Sequence, residues 1–348
     1  MESPAAKKRQ AFSVSRFARI FGALLLAAPA LALAQDFTYS TNDGAITITG
    51  VNGTNGELTI PGTLAGLPVT RIGDWAFFNH PELTRVTLPG GLLELGNYCF
   101  DACSNLASVT LPDSVRSLGD AAFGDCASLT NLDLGHGVTR IGDRAFHFCT
   151  GLGDATIPDS VTDLGDHAFS DCTNLTRLTL GNHLARIRKS TFASCYLLPR
   201  VTVPDSVIDI GSYAFMYCIS LTNAVIGSGV TNLGDYAFHC CTYLTAVQLP
   251  DSLTRIGSHA FSCCHKLNRI QIPAQVSYIG SSAFASCYRL TEITFQGNVP
   301  PLASDVFDQV FNAKVYYPAG SPGSGETVGG RPARPETTLI TAPQGIGR

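Results

Sequence analysis

The sequence predicts a repeat solenoid of the α/β class, with a parallel sheet along one face and short helical turns along the other. Three observations carry this reading. From Leu83 the chain divides into 23-residue units without insertion or deletion through residue 289, giving nine full units and a degenerate tenth. Phenylalanine recurs in phase from Phe77 to Phe307, and nine of the 12 cysteines recur in phase from Cys103 to Cys287. Within a unit, Val109 and Leu111 flank Thr110 with the period of two that marks a short strand. Columns that stay in phase this long mean that each unit is one coil stacked on the next.

The elements follow in chain order. Residues 1–34 are expected to be an export signal. Lys7, Lys8, Arg9, Arg16 and Arg19 precede an apolar run from Ile20 to Leu33, too short to span a bilayer comfortably, and Ala32 and Ala34 supply a small-x-small cleavage site. No later segment is apolar enough to cross a membrane, so an exported product, periplasmic or extracellular, is expected after cleavage near Ala34. Residues 35–82 form a cap and a first coil, in which the stretches 44–49 and 56–61 are expected to pair as a hairpin.

Residues 83–312 are the repeats. In the unit that opens at Leu106, Pro112, Asp113 and Ser114 make a turn, and Val115 and Leu118 return to the core. Asp120 is placed to cap the helical turn that carries Phe123 and Cys126 inward. The turn alternates between a proline form (Pro112, Pro158, Pro204, Pro250) and a glycine form (Gly135, Gly181, Gly227). That 46-residue period points to growth by duplication of a two-unit block. In the tenth unit Ala303 replaces the recurring glycine and Val310 the recurring cysteine, as a terminal coil without a neighbour permits. Residues 313–348 hold a closing strand at 314–318 and, from Ala319, a Gly-, Pro-, Ser- and Thr-rich stretch expected to be flexible.

These columns resemble the BspA-like branch of the leucine-rich repeat superfamily. Residues 106–128 match its pattern, L-x-x-L-x-L-P-x-x-L-x-x-I-G-x-x-A-F-x-x-C-x-x, column for column, and the resemblance spans about residues 57–312. It implies a leucine-rich repeat solenoid with an N-terminal β-hairpin cap, and a role in surface adhesion or recognition of proteins. The matched columns are structural, so the resemblance assigns no ligand residue.

Charge and motif content narrow the function. Beyond residue 34 there are 18 basic and 26 acidic side chains and no basic stripe, which argues against a nucleic-acid partner. No nucleophile elbow, zinc-protease, phosphate-loop or dinucleotide motif occurs. His147 and His239 share one column four coils apart, and His167 and His259 share another, so neither pair can act on one bond. No enzyme and no cofactor are expected. The nine in-phase cysteines read as buried thiols filling tight coils. Cys240 and Cys263 lie one step off that column on adjacent coils and are the candidate disulfide. His239 and His259 flank them, but without paired C-x-x-C spacing no metal centre is expected.

Two surfaces compete for a partner. The strand face carries Thr156, Arg177, Thr179, Arg200 and Thr202, a hydroxyl-rich platform for protein or glycan. The turn side carries Tyr213, Tyr236 and His259 on successive coils, an aromatic strip able to anchor a partner. Arg186, Arg188 and Lys189 make one basic interruption. The reading is an exported, non-enzymatic repeat protein that binds macromolecules through its solenoid surface; the alternative is a structural scaffold or spacer of the cell envelope.

Overall fold

The computed structural model describes residues 36–54, 56–321 and 325–335; the expected leader and its cleavage site lie outside them. The chain winds as a solenoid whose coils have three sides. On the front, three-residue strands such as Ser108–Thr110 and Asn131–Asp133 stack in parallel and in register, Leu132 against Val109. Alternation sets their faces, so Val109 and Leu111 are buried and Thr110 is exposed. On the second side, two-residue strands such as Glu94–Leu95, Ser117–Leu118 and Arg140–Ile141 form another parallel ladder, with Leu95, Leu118 and Ile141 buried.

The third side differs from the helical turn that the spacing predicts: no helix occurs among the described residues. The coils from Trp75 to Ser286 instead make two consecutive turns with left-handed residues four positions apart, such as Tyr98 (φ 55°) and Ala102 (φ 60°). Alternate amides along these turns point to the next coil, while the Asp101 amide closes its own turn on Tyr98 O at 3.3 Å. Tyr98 N donates to Asp120 O at 2.8 Å, and Phe100 N to Ala122 O and Ala102 N to Gly124 O, both at 2.9 Å. A helix this short would close few bonds of its own, whereas the neighbouring coil supplies partners for every second amide and the tight turns for others. The aspartate column follows the same rule and caps no helix. Asp120 Oδ1 accepts the amide of Asp143 at 3.0 Å, and Asp143 Oδ1 that of Asp166 at 2.9 Å.

Inside, eleven phenylalanines from Phe77 to Phe307 form one stacked column with ring centroids 5.0–5.8 Å apart. Beside it, each in-phase cysteine donates its S–H to a phenylalanine carbonyl of the preceding coil, as from Cys126 to Phe100 at 3.3 Å. Phe100 O already accepts the Cys103 amide at 3.2 Å, so the thiol occupies the carbonyl's second lone pair. All nine in-phase cysteines are buried as thiols, and burial pushes Cys218 up to about 12, keeping its proton on. The glycines that end the second-side strands let the backbones touch. A Cβ on Gly119 would lie 2.5 Å from the carbonyl carbon of Gly96, and one on Gly165 would lie 2.4 Å from that of Gly142.

Arg188 interrupts this column. The second-side ladder breaks between Asp163–Leu164 and Arg186–Ile187, and a Cβ on Gly211 would clear the Arg188 carbonyl carbon by a wider 2.8 Å. The displaced guanidinium reaches Asp163 at 2.7 Å, a carboxylate that Arg140 also holds at 3.1 Å.

Both ends are capped, neither quite as expected. The N-terminal hairpin pairs Asp36–Asn42 with Ala45–Asn52 through Asp43 (φ 49°) and Gly44 (φ 75°), a two-residue turn with both residues left-handed. The stretches 44–49 and 56–61 therefore do not pair with each other; Glu57–Thr59 instead joins the front ladder against Arg85–Thr87. At the other end Lys314–Tyr317 joins the front ladder against Glu292–Phe295 but does not end it. Order continues into the stretch expected to be flexible, where Arg331–Pro335 pairs with Lys314–Tyr317 and with Thr327–Val328. Arg331 donates to Phe307 O at 2.7 Å, so this hairpin lids the last ring of the column.

Phe169→Ala leaves a void between two stacked rings and is expected to destabilise the protein by about 3–5 kcal/mol, read as a lower urea midpoint. A second expectation concerns half-buried Asp101. Burial, and then the charge of Asp125, raise its carboxyl to about 6, so the native state binds this proton more tightly than the unfolded chain. The ionised form thus costs stability above pH 6, and the cost vanishes below the ordinary carboxyl range. Asp101→Asn should therefore gain on the order of 1 kcal/mol at pH 7.5, after discounting for solvent screening, and nothing at pH 3, as measured by paired denaturation curves.

Candidate recognition surface

The front strands place the predicted residues side by side. Thr156 on Asp154–Thr156 stands directly opposite Thr179 on Arg177–Thr179, and both hydroxyls are exposed because Ala155 and Leu178 take the inward positions between them and the salt-bridged ends. These two strands pair only with each other, the front ladder lapsing on either side of them. Arg200 and Thr202 sit exposed on the next strand, Arg200–Thr202, beyond that lapse.

The arginines are not equivalent. Arg177 grips Asp154 with two hydrogen bonds, Nε to Oδ1 at 2.7 Å and Nη2 to Oδ2 at 2.6 Å, and these bonds hold the Asp154 carboxyl below the ordinary carboxylate range. With side-chain exposures of 79% and 52%, this pair adds little stability, but it fixes a planar polar surface beside the threonines. Arg200 has no ion-pair partner among the described residues, so its charge is the one this patch presents.

A shallow groove of about 520 Å³ runs along the turn edge of the same two coils. Thr156, Thr179, Asp159 and Asn182 line it with the buried Ile157 and Leu180 beneath, and His136 of the preceding coil reaches its end. Its shape comes from the alternating turns. A Cβ on Gly181 would lie 2.5 Å from Pro158 O, so only glycine lets the second turn settle onto the first, and Asp159 Oδ1 then accepts the Asn182 amide at 2.7 Å. Composition alone does not single out Asp159 or Asn182; the alternation of proline and glycine turns is the signal that marks their edge.

On the turn side the predicted strip is assembled. Tyr213 stacks on Tyr236 at 4.9 Å and Tyr236 on His259 at 4.5 Å, with nearly parallel planes in both cases. All three occupy the left-handed corner position, with φ of 62°, 60° and 56°. The stack uses both faces of Tyr236 internally, leaving that central ring only its edge for a partner. For that reason the front surface is the stronger recognition candidate. Of the basic interruption, Arg188 is engaged by Asp163 and Lys189 lies 6.0 Å from the Tyr213 ring centre, so neither forms an open anion site.

Histidines meet in a different combination from the column partners: His147 lies beside His167 and His239 beside His259, each pair with ring centroids 6.5 Å apart. Cys240 and Cys263, the candidate disulfide, are both half-buried thiols on adjacent corners, and the structure brings His239 to them.

Comparison with known proteins places this geometry. The pattern described as BspA type leucine rich repeat region matches residues 70–198 and 186–314, with six copies. A leucine-rich cell surface protein from Faecalibacterium prausnitzii is similar at 25% identity, the match covering 82% of this chain and 94% of that one with a TM-score of 0.51. A leucine-rich repeat protein from Bacteroides ovatus matches at 22% identity, over 86% and 98% of the two chains, with a TM-score of 0.47. The pneumococcal vaccine antigen PcpA matches at 18% identity, over 83% and 93%, with a TM-score of 0.48. A comparison with curated proteins finds no match.

The left-handed corner generates a reversal of the usual mutational order. Tyr236→Ala loses the stack and keeps the backbone strain, whereas Tyr236→Gly loses the same stack and relieves the strain. The glycine variant should be the more stable of the two by about 1 kcal/mol in thermal or urea unfolding.

Proposed function

The chain belongs to the BspA-type leucine-rich repeat family, and on that premise we propose that it is an exported, non-enzymatic recognition protein that binds a protein or glycan ligand through its front face. Thr156, Arg177, Thr179, Arg200 and Thr202 are the contact residues in this reading. The observation that supports it most is the coincidence of the threonine pair with the groove: exposed hydroxyls, a fixed Arg177–Asp154 pair and an apolar floor lie within two adjacent coils.

The chemistry favours an extended polymer over a small molecule. The groove is open along its length and offers hydroxyl donors and acceptors in register rather than an enclosed cavity. Flat arrays of hydroxyl and amide groups suit the alternating hydroxyls of a glycan or an extended peptide. Arg200 adds one positive charge at the margin, which biases the surface toward ligands with an acidic group. Export accords with the basic and apolar leader at residues 1–34, and no helix of the described residues is long and apolar enough to cross a membrane. The surface display of the Faecalibacterium relative accords with the same destination.

The test is a screen of the purified protein against a glycan array and an array of purified extracellular proteins, followed by titration of any hit. Saturable binding that falls at least about tenfold in the triple variant Arg177→Ala, Thr179→Ala and Arg200→Ala is the expected result, as loss of a central polar cluster should produce. Undiminished binding in that variant would move the site off the front face. A protein that binds neither array, fractionates with the envelope and starts at Gln35 would favour the scaffold reading.

A further inference from the structure

The turn side of two successive coils holds a group of side chains unlike the rest of the column. Cys240 and Cys263 occupy equivalent left-handed corners, with φ of 58° and 61°, and their amides are pinned to the next coil at Ser262 O and Ala285 O, both at 2.9 Å. His239 precedes the first of them. Its Nδ1 lies 2.5 Å from the hydroxyl of buried Ser262, which fixes the ring and directs Nε2 to within 3.2 Å of Cys240 Sγ. The three potential ligand atoms, His239 Nε2 or Nδ1 and the two Sγ atoms, lie within 4.8 Å of one another.

We propose that His239, Cys240 and Cys263 form a binding site for a thiophilic metal ion, zinc(II) in particular. Two thiolates and a neutral imidazole balance a divalent charge and supply the sulfur and nitrogen donors that zinc prefers. The geometry needs only small side-chain rotations, since sulfur and nitrogen ligands of a tetrahedral zinc stand about 3.5–4 Å apart given bond lengths near 2.0–2.3 Å. All three residues are half-exposed, so a fourth position faces solvent, open to water or to a ligand from outside the chain. The Ser262 contact is the outer-shell partner that orients a metal-binding imidazole.

The protonation states are consistent with this assignment. Burial, and then the nearby His259, lower the His239 pKa, which leaves its imidazole neutral at pH 7 with a lone pair to give. Burial, then the charge of Cys263 and the hydrogen bond between the two thiols, push Cys240 up to about 12, so the metal-free thiol keeps its proton. The balance is simple: one zinc ion and two S–H groups give two zinc–sulfur bonds and release two protons to solvent. Affinity should rise with pH accordingly.

The molecule contains its own control. Four coils earlier His147 makes the same contact with Ser170 at 2.5 Å, but the corner positions there are Phe148 and Asp171. The His–Ser contact is thus a property of the coil, and the two sulfurs are what distinguish the later site. The nine in-phase thiols do not compete, because they are buried and donate to phenylalanine carbonyls.

The experiment titrates the purified, phosphine-reduced full chain with cobalt(II) alone and then displaces it with zinc(II). Expected are one equivalent of tight binding, a sulfur-to-cobalt charge-transfer band in the near ultraviolet, and loss of that band on adding zinc. Cys240→Ser and Cys263→Ser should each weaken the band and the binding, the double variant should abolish the band, His239→Ala should weaken binding by at least about tenfold, and His147→Ala should leave it unchanged. Circular dichroism and the unfolding midpoint of the Cys240→Ser/Cys263→Ser double variant, whose changes are at the surface, separate lost ligation from lost folding. A band of undiminished intensity in that folded double variant, or no cobalt binding by the reduced wild type, would overturn the proposal. So would a Cys240–Cys263 disulfide found by non-reducing mass spectrometry in protein recovered directly from cells, since both sulfurs would then be consumed.

Discussion

Coils in this chain approach until their backbones touch, and nearly everything else follows from that spacing. A Cβ added at Gly119, Gly142 or Gly165 would fall within about 2.5 Å of the preceding coil's backbone. At that separation the phenylalanine rings stack at 5.0–5.8 Å, the Asp120 carboxylate reaches the Asp143 amide, and the Cys126 thiol reaches the Phe100 carbonyl. None of these contacts is local in sequence. Each is made by a residue and its neighbour 23 or 26 positions away, so a side chain is useful only if the adjoining coil repeats the matching group. The strict periodicity is the sequence-level trace of that mutual dependence.

Departures from the repeat therefore have consequences beyond their own coil. Arg188 stands where glycine would let the coils meet, and the second-side ladder stops there. The front ladder also lapses on both sides of the Asp154–Thr156 and Arg177–Thr179 pair, close to the same place. The groove lies against this isolated pair. The groove and the gaps in ladder pairing thus coincide in the middle of the solenoid, while the turn-side bonds, such as Phe169 N to Thr191 O at 2.9 Å, and the stacked rings run on through it.

The columns, the coil length, the front strands and the strand at Lys314–Tyr317 were legible in the sequence, because they depend on burial and a period of two. The third side was not. Phe123 and Cys126 three positions apart fit a helical turn and a pair of tight turns equally well, and the left-handed corners are filled by Trp75, Tyr98, Tyr213 and His259 rather than by glycine. The signal that normally reveals such a corner was therefore missing. The Asp43-Gly44 turn was a readable hairpin signal, but the repeat-like look of 56–61 competed with it. At the surface, the threonine and arginine columns followed from alternation, whereas Asp159 and Asn182 depended on how a glycine turn seats on a proline turn. The convergence of His239 with Cys240 and Cys263 depended on the Ser262 hydroxyl, a partner that spacing does not reveal.

The two end closures differ in kind from the coils they bound. One is the hairpin of Asp36–Asn42 with Ala45–Asn52, and the other is the hairpin that sets Arg331 on the carbonyl of Phe307. Neither closure contacts more than the coils next to it, while the interior is built from two-coil blocks of 46 residues. A molecule made this way can be lengthened or shortened by whole blocks without redesigning its ends. Its reach becomes a quantity that evolution can adjust in fixed steps, independently of the chemistry on any one coil.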